Sequence, residues 1–197
     1  MQNVVLPWKK EGVNYLTDII NFIGEKTCLP RHIIDEGISI YNDNMELGKN
    51  WDDEVLQVSS LYMACRIHGI PRTMGDFCYA GNITRQILFD GYTRLFNTSK
   101  YKVVVMNPLS YLNRITSMIG VDPRTSNFAQ NLLITKSKQC SLIGHDPIIR
   151  AGSVLYISCV KNGFNITQKD IAEVCQCSES SIRVNSKKLM DVGILED

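Results

Sequence analysis

A chain of 197 residues with 44% hydrophobic and 21% charged side chains has the make-up of a globular protein, which excludes a disordered, collagen-like or mucin-like polymer. Its 21 basic and 20 acidic residues leave a net charge of +1, which speaks against a polycation that coats nucleic acid by bulk charge, so any DNA role has to come from where charge is placed. The longest aliphatic run, Val103-Val104-Val105-Met106, falls far short of the ~20 residues a spanning helix needs, and no basic-then-apolar leader opens the chain. With seven cysteines, an odd set that includes several inside apolar helical patterns, we expect a soluble intracellular protein in a reducing compartment.

Taken in chain order, the apolar spacing is helical, with no convincing period-two strand. Leu16, Ile19, Ile20 and Ile23 share one face of a first helix that Gly24 is expected to stop, and Ile33, Ile34, Ile40 and Tyr41 form the face of a second. A third starts after Asn50, carries Asp52, Asp53 and Glu54 in its first turn and Val55, Val58, Leu61, Tyr62 and Cys65 along its length, and ends at Gly69. It should be the buried central helix. Thr73-x-x-Asp76 resembles a capping box opening a fourth helix, and Thr84, eleven residues on, can cap a fifth. The segment from Asn97 to Pro108 reads as a linker.

Beyond the linker the pattern returns. An offset of 94 residues superimposes Ser59 to Cys65 on Ser153 to Cys159 and continues without a gap through Gly69/Gly163, Thr73/Thr167, Asp76/Asp170 and Leu95/Leu189, giving eight identities in 37 positions. Upstream, at a slightly different offset, Tyr15-Leu16, Ile19, Ile23 and Gly24 match Tyr111-Leu112, Ile115, Ile119 and Gly120. The period is too long for a solenoid unit of ~20–50 residues. We therefore expect an all-α protein of two tandem five-helix domains, residues 1–100 and 101–197. Pro108, Pro123 and Pro147 sit where first-turn prolines are tolerated and mark the first three helices of the second copy. By copy, the charges are 10 basic against 12 acidic and 11 against 8, net −2 and +3, which makes the second copy the better DNA candidate.

The last two helices of each copy read as a helix-turn-helix. In the second, Thr167 to Cys175 is a short amphipathic helix, a turn follows, and Ser178-Glu179-Ser180-Ser181-Ile182-Arg183 begins the next helix with small polar residues. Such residues let a backbone approach the major groove, an Arg one turn in can reach a guanine edge with two hydrogen bonds, and Lys187 and Lys188 can hold phosphates. The same pattern equally suits a helical hairpin packed for stability alone. Cys175-x-Cys177 lacks the second ligand pair a structural zinc needs. Cys65 and His68 could pair as nucleophile and base, but the repeat keeps only the cysteine and puts Asn162 at the position of His68, so a core thiol is expected rather than catalysis. With no phosphate-cradling loop or triad motif, no enzyme and no cofactor are expected. Lys9-Lys10 and Lys100-x-Lys102 read as solvated surface.

Leu61-Tyr62-Met63-Ala64-Cys65-Arg66-x-x-Gly69-Ile70-Pro71-Arg72-Thr73, with Leu29-Pro30-Arg31 before it and Val154 to Cys159 and Thr167-Gln168-x-Asp170-Ile171-Ala172 after it, resembles the core of archaeal transcription initiation factor B, the equivalent of eukaryotic general transcription factor IIB. The resemblance covers almost the whole chain. It implies two cyclin-like repeats that clamp a TATA-box-binding protein on promoter double-stranded DNA, with the second repeat's helix-turn-helix on an upstream recognition element. Arg183 matches the arginine that reads this element, Ser181 and Ile182 the threonine-isoleucine before it, and Gln168 the glutamine opening the preceding helix. Lys169, Ser178, Ser180 and Lys187 complete the implied DNA-binding set. Ser180 stands in place of a family valine, a loss of apolar contact with a thymine methyl at up to ~1–3 kcal/mol per good contact.

In the first repeat, Lys49, Arg66, Arg72 and Arg85 are the implied contacts to the DNA backbone or to the TATA-box-binding protein. A lysine-lysine-glutamate-isoleucine-glycine-arginine pattern has become Arg85-Gln86-Ile87-Leu88-Phe89-Asp90, so a weaker phosphate grip is expected. The family's N-terminal zinc ribbon and reader segment find no match, whether by trimming or natural reduction, so contact with RNA polymerase is expected to be indirect or weakened. The alternative is a cyclin-like protein-interaction module or promoter modulator with weak or no DNA binding. The resemblance puts the protein in an archaeal cytoplasm, with a nucleus as the alternative and no membrane involved.

Overall fold

The computed structural model describes residues 17–45, 52–98, 100–136 and 146–195. Lys9, Lys10, Tyr15, Leu16, Lys49, Asn50 and Cys140 lie outside the described residues. Ten α-helices, and no strand, are found among those described. They fall into two compact units, residues 1–105 and 106–197. The first holds α1 (Asp18–Lys26), α2 (Arg31–Asn44), α3 (Asp53–Ile67), α4 (Met74–Gly81) and α5 (Arg85–Thr98). The second holds α6 (Pro108–Ile119), α7 (Pro123–Thr135), α8 (Pro147–Asn162), α9 (Gln168–Cys175) and α10 (Glu179–Asp191).

In the first unit α3 is the axis. Asp52 caps it, its carboxylate accepting from the Glu54 N–H at 3.1 Å, and ten of its fifteen residues, Leu56 to Cys65, are buried. A helix buried on all sides needs small surfaces around it. Gly37 of α2 lies so near that a Cβ there would sit 3.1 Å from the Leu61 Cα, and a Cβ on Gly91 of α5 would fall 2.5 Å from the Ser59 hydroxyl oxygen. Tyr62 fills the remaining space, its ring edge-on to Phe77 of α4 and Tyr92 of α5 at 5.3 and 5.0 Å between centroids. In the second unit α8 has the same role. Asp146 caps it, Pro147 occupies its first turn, and Ile148, Ala151 to Leu155 and Ile157 to Cys159 are buried.

Seven of the ten described helices end by one rule. A residue in the left-handed region ends the helix, and the next residue's N–H returns to a carbonyl five positions back, the Schellman closure. Gly69, Gly120, Gly163 and Gly193 supply this conformation, and so do Cys28, Asn82 and Gln176. The returning bonds are Leu29 to Gly24, Ile70 to Cys65, Ile83 to Cys78, Val121 to Thr116, Phe164 to Cys159, Cys177 to Ala172 and Ile194 to Leu189, all 2.9–3.2 Å. An apolar or thiol side chain follows each left-handed residue, covering the last turn.

Gly24 differs from expectation. It does not stop α1, which runs on to Lys26. Gly24 is buried inside the helix, where a Cβ would lie 2.6 Å from the Ile34 side chain, so its role is close packing of α1 on α2. Its counterpart Gly120, at φ +74°, is the true stop of α6. The segment after α5 also packs on the first unit: Tyr101 donates its hydroxyl proton to Asp43, and the Val104 N–H donates to the Arg66 carbonyl at 3.2 Å. Pro108, Pro123 and Pro147 open α6, α7 and α8 as expected.

Candidate nucleic-acid interface

The C-terminal pair of helices in the second unit is built from its caps outward. Thr167 and Asp170 form a complete capping box: the threonine hydroxyl oxygen accepts from the Asp170 N–H at 3.1 Å, and the Asp170 carboxylate accepts from the Thr167 N–H at 2.9 Å. The threonine hydroxyl, which donates to the carboxylate at 2.7 Å, and then the Thr167 N–H hold the Asp170 carboxyl below its usual range. Helix α9 ends at Gln176, held left-handed at φ +53°. Three residues, Gln176 to Ser178, join it to α10. Ser178 caps α10, its hydroxyl oxygen accepting from the Ser181 N–H at 3.1 Å, and the two serine hydroxyls share a further bond at 2.8 Å. Thr73 and Asp76 form the same box in the first unit, with Asn82 left-handed in place of Gln176.

Packing decides which face of this element is presented. Ile171, Ala172 and Cys175 of α9 and Ile182, Ser186 and Leu189 of α10 are buried. Gly152 of α8 admits them: a Cβ there would meet the Cys175 sulfur at 2.7 Å, Ile171 at 3.1 Å and Ile182 at 3.2 Å. The Cys175 thiol, hydrogen-bonded with Cys177 and buried, is pushed strongly up and stays protonated. With Ile182 and Leu189 anchored inward, the opposite face of α10 carries Ser180, Arg183, Val184 and Lys187, all exposed.

The implied DNA-binding residues thus fall in two groups. Ser178, Ser180, Ser181, Arg183 and Lys187 share α10 and its cap, while Gln168 and Lys169 open α9. Arg183 meets Glu179 at 3.9 Å and Lys169 meets Glu173 at 3.9 Å, both one turn away on their own helices and open to solvent. Such pairs are worth about 0.3–0.5 kcal/mol, little enough that a phosphate or base edge can displace them. Ser181 is half-buried and engaged in the cap. Val184, 45% exposed one turn beyond Ser180, went unremarked in the sequence, although its i+4 spacing from Ser180 marks the shared face.

The implied contacts of the first unit are scattered. Arg72 is half-buried, and its guanidinium donates to the carbonyls of Thr27 at 3.0 Å and Cys28 at 3.3 Å, so it clasps the left-handed turn between α1 and α2. Arg66 is half-buried on α3 near Tyr92. Arg85 is exposed at the first residue of α5, and Lys49 lies outside the described residues. Asp90 accepts from Gln86 at 2.9 Å. Burial pushes the Cys65 thiol up to about 12 and the Cys159 thiol up to about 11, which leaves both as core thiols rather than nucleophiles. Among the described residues no group of three or more His, Cys, Asp or Glu could hold a metal ion, and no helix is long and apolar enough to cross a membrane.

Two tandem-matched helical units with this closing helix pair define a class, and comparison with known proteins bears on it directly. The family described as transcription factor TFIIB repeat matches residues 101–191. Transcription initiation factor IIB of Pyrodictium occultum is 30% identical over 168 residues, 84% of this chain and 54% of the relative. The protein of the same name from Aeropyrum pernix is 29% identical over 187 residues, 91% of this chain and 58% of the relative, and transcription initiation factor IIB 2 of Thermococcus kodakarensis is 27% identical over 165 residues, 83% and 54%. The match to the repeat family falls on residues 101–191, and over most of its length the chain is similar to archaeal transcription initiation factors IIB, in keeping with the resemblance its motifs carry. It spans about half the length of these curated relatives.

Proposed function

We propose that this chain is the core of a basal transcription initiation factor: two cyclin-like repeats, residues 1–100 and 101–197, that bind a TATA-box-binding protein on promoter DNA. In this reading α9–turn–α10 is a helix-turn-helix whose second helix enters the major groove of an upstream element. The observation that carries it is the outward row Ser180, Arg183, Val184 and Lys187 on a helix whose N-terminal turn presents only small polar side chains beside Glu179. Arg183 supplies the bidentate base contact, Val184 an apolar group for a thymine methyl, and Lys187 with Lys169 the phosphate contacts. The engaged Ser178 and Ser181 set the approach of the helix, and Gln168 meets the backbone from α9.

The first repeat suits a protein partner better than a DNA backbone. The position that the repeat aligns with Arg183 is Phe89, 51% exposed, and Tyr79 and Phe96 are exposed near it in sequence on α4 and α5. Arg66, Arg72 and Arg85 then support a TATA-box-binding protein contact, with Arg72 acting through the α1–α2 turn. RNA polymerase is met indirectly, through the assembled promoter complex, in an archaeal cytoplasm.

A gel-shift series with an archaeal TATA-box-binding protein and a TATA promoter tests this. A ternary complex is expected at low salt, and Arg183→Ala should weaken it by about 1–3 kcal/mol, roughly 5- to 150-fold, while relaxing preference at one upstream base pair. Absence of a ternary complex across several upstream elements would sink the proposal. Indifference to Arg183→Ala would favour the module that binds proteins alone.

A further inference from the structure

Outside the helix-turn-helix, the second unit has a recess of about 660 Å³ between α7 and the C-terminal end of α8, lined by Arg124, Asn127, Phe128, Asn131, Lys161 and Asn162. This volume lies in the range of small-molecule sites, ~300–1,000 Å³. The first four residues are spaced i, i+3, i+4 and i+7, one continuous stripe of α7. Its core stripe is a different one, Thr125, Ala129, Leu132 and Leu133. Neither Arg124 nor Lys161 has an ion-pair partner among the described residues. The Asn162 amide nitrogen is buried and has no hydrogen-bond partner there either. Leaving such a donor unmet costs free energy.

The lining combines three chemistries: two cations, three carboxamides and one partly buried aromatic ring. The two cations select an oxyanion. Carboxamides present the paired donor and acceptor that match the edge of a base, as Asn does with adenine. An aromatic ring offers a stacking face to any base. Duplex backbone fits the recess poorly, because its phosphates are reached by side chains that protrude. We propose that this recess binds a nucleotide, its phosphate on Arg124 and Lys161, its base against Phe128 and the asparagines. The ligand is either a free nucleotide or an unpaired one within a single strand. The inference stands apart from the promoter reading, since it uses neither α10 nor a TATA-box-binding protein.

Calorimetric titration of the full chain with adenosine monophosphate, with single-stranded (dA)6 and with inorganic phosphate tests it. Binding of the nucleotide or the oligonucleotide is expected, weakened about tenfold or more by Arg124→Glu and by Lys161→Glu, each at an exposed position, and about tenfold by Phe128→Leu. Circular dichroism of each variant checks that it is folded, and the two charge reversals keep the test decisive if Phe128→Leu is not. Binding of both probes assigns a free nucleotide site; binding of the oligonucleotide alone assigns an unpaired strand. The proposal is overturned if neither binds, if phosphate binds as tightly as the nucleotide, or if the charge reversals leave binding unchanged.

Discussion

Gly152→Val is expected to destabilise the second unit by about 3 kcal/mol, at the upper end of what overpacking a core costs. The reason is local. The Cβ alone would lie 2.7 Å from the Cys175 sulfur and within 3.2 Å of Ile182, and valine adds two methyl groups in the same crowded space. The residues that must yield are the anchors of α9 and α10, so the loss should fall on the proposed DNA-reading element first. Gly152→Ala should do the same to a smaller degree, because the gain in helix propensity of about 1 kcal/mol offsets part of the clash. Urea unfolding followed by circular dichroism measures both. Adding Cys175→Ala to Gly152→Ala removes the sulfur and should recover much of the loss, a coupling that distant sites do not show.

Leu61→Ala is the corresponding test of the first unit, with an expected cost of about 2–5 kcal/mol. Leu61 is fully buried on α3, and its side chain lies against Gly37 of α2. A glycine opposite the missing branch cannot fill the space, so the cavity should persist and the cost should sit high in the range. Thermal unfolding should show the first unit melting earlier while the second keeps its transition, provided the two units unfold separately. A loss below about 1 kcal/mol would contradict the central placement of α3.

The contrast between Gly120, which stops a helix, and Gly24, which admits a neighbouring one, shows what a sequence can say about helix ends and helix packing. Thr73 and Thr167 with their aspartates, Ser178 before Ser181, and three prolines were legible because each acts on backbone atoms within a few residues. The repeat was legible because its matched positions do the same work twice: Leu88 and Ile182 are both fully buried, and Asn82 and Gln176 are both left-handed stops. Gly24 was not legible, because a glycine that ends a helix and one that admits a neighbouring helix look alike until Ile34 is in place. For Arg72 the motif fixed the family position, while its carbonyl partners are about 45 residues away and follow from no local pattern. The recess on α7 was missed for a similar reason. Its stripe is polar and aromatic rather than apolar, and it becomes a site only when Lys161 and Asn162 arrive from the end of α8.

Position 183 itself offers the most direct measurement. A photo-crosslinking side chain placed there, in a chain assembled with TATA-box-binding protein on promoter DNA, should attach to bases upstream of the TATA box, within the major groove and on one helical face. Attachment to protein only, or to DNA without positional preference, would contradict the placement of α10 in the groove and with it the reading of this chain as a promoter-bound core.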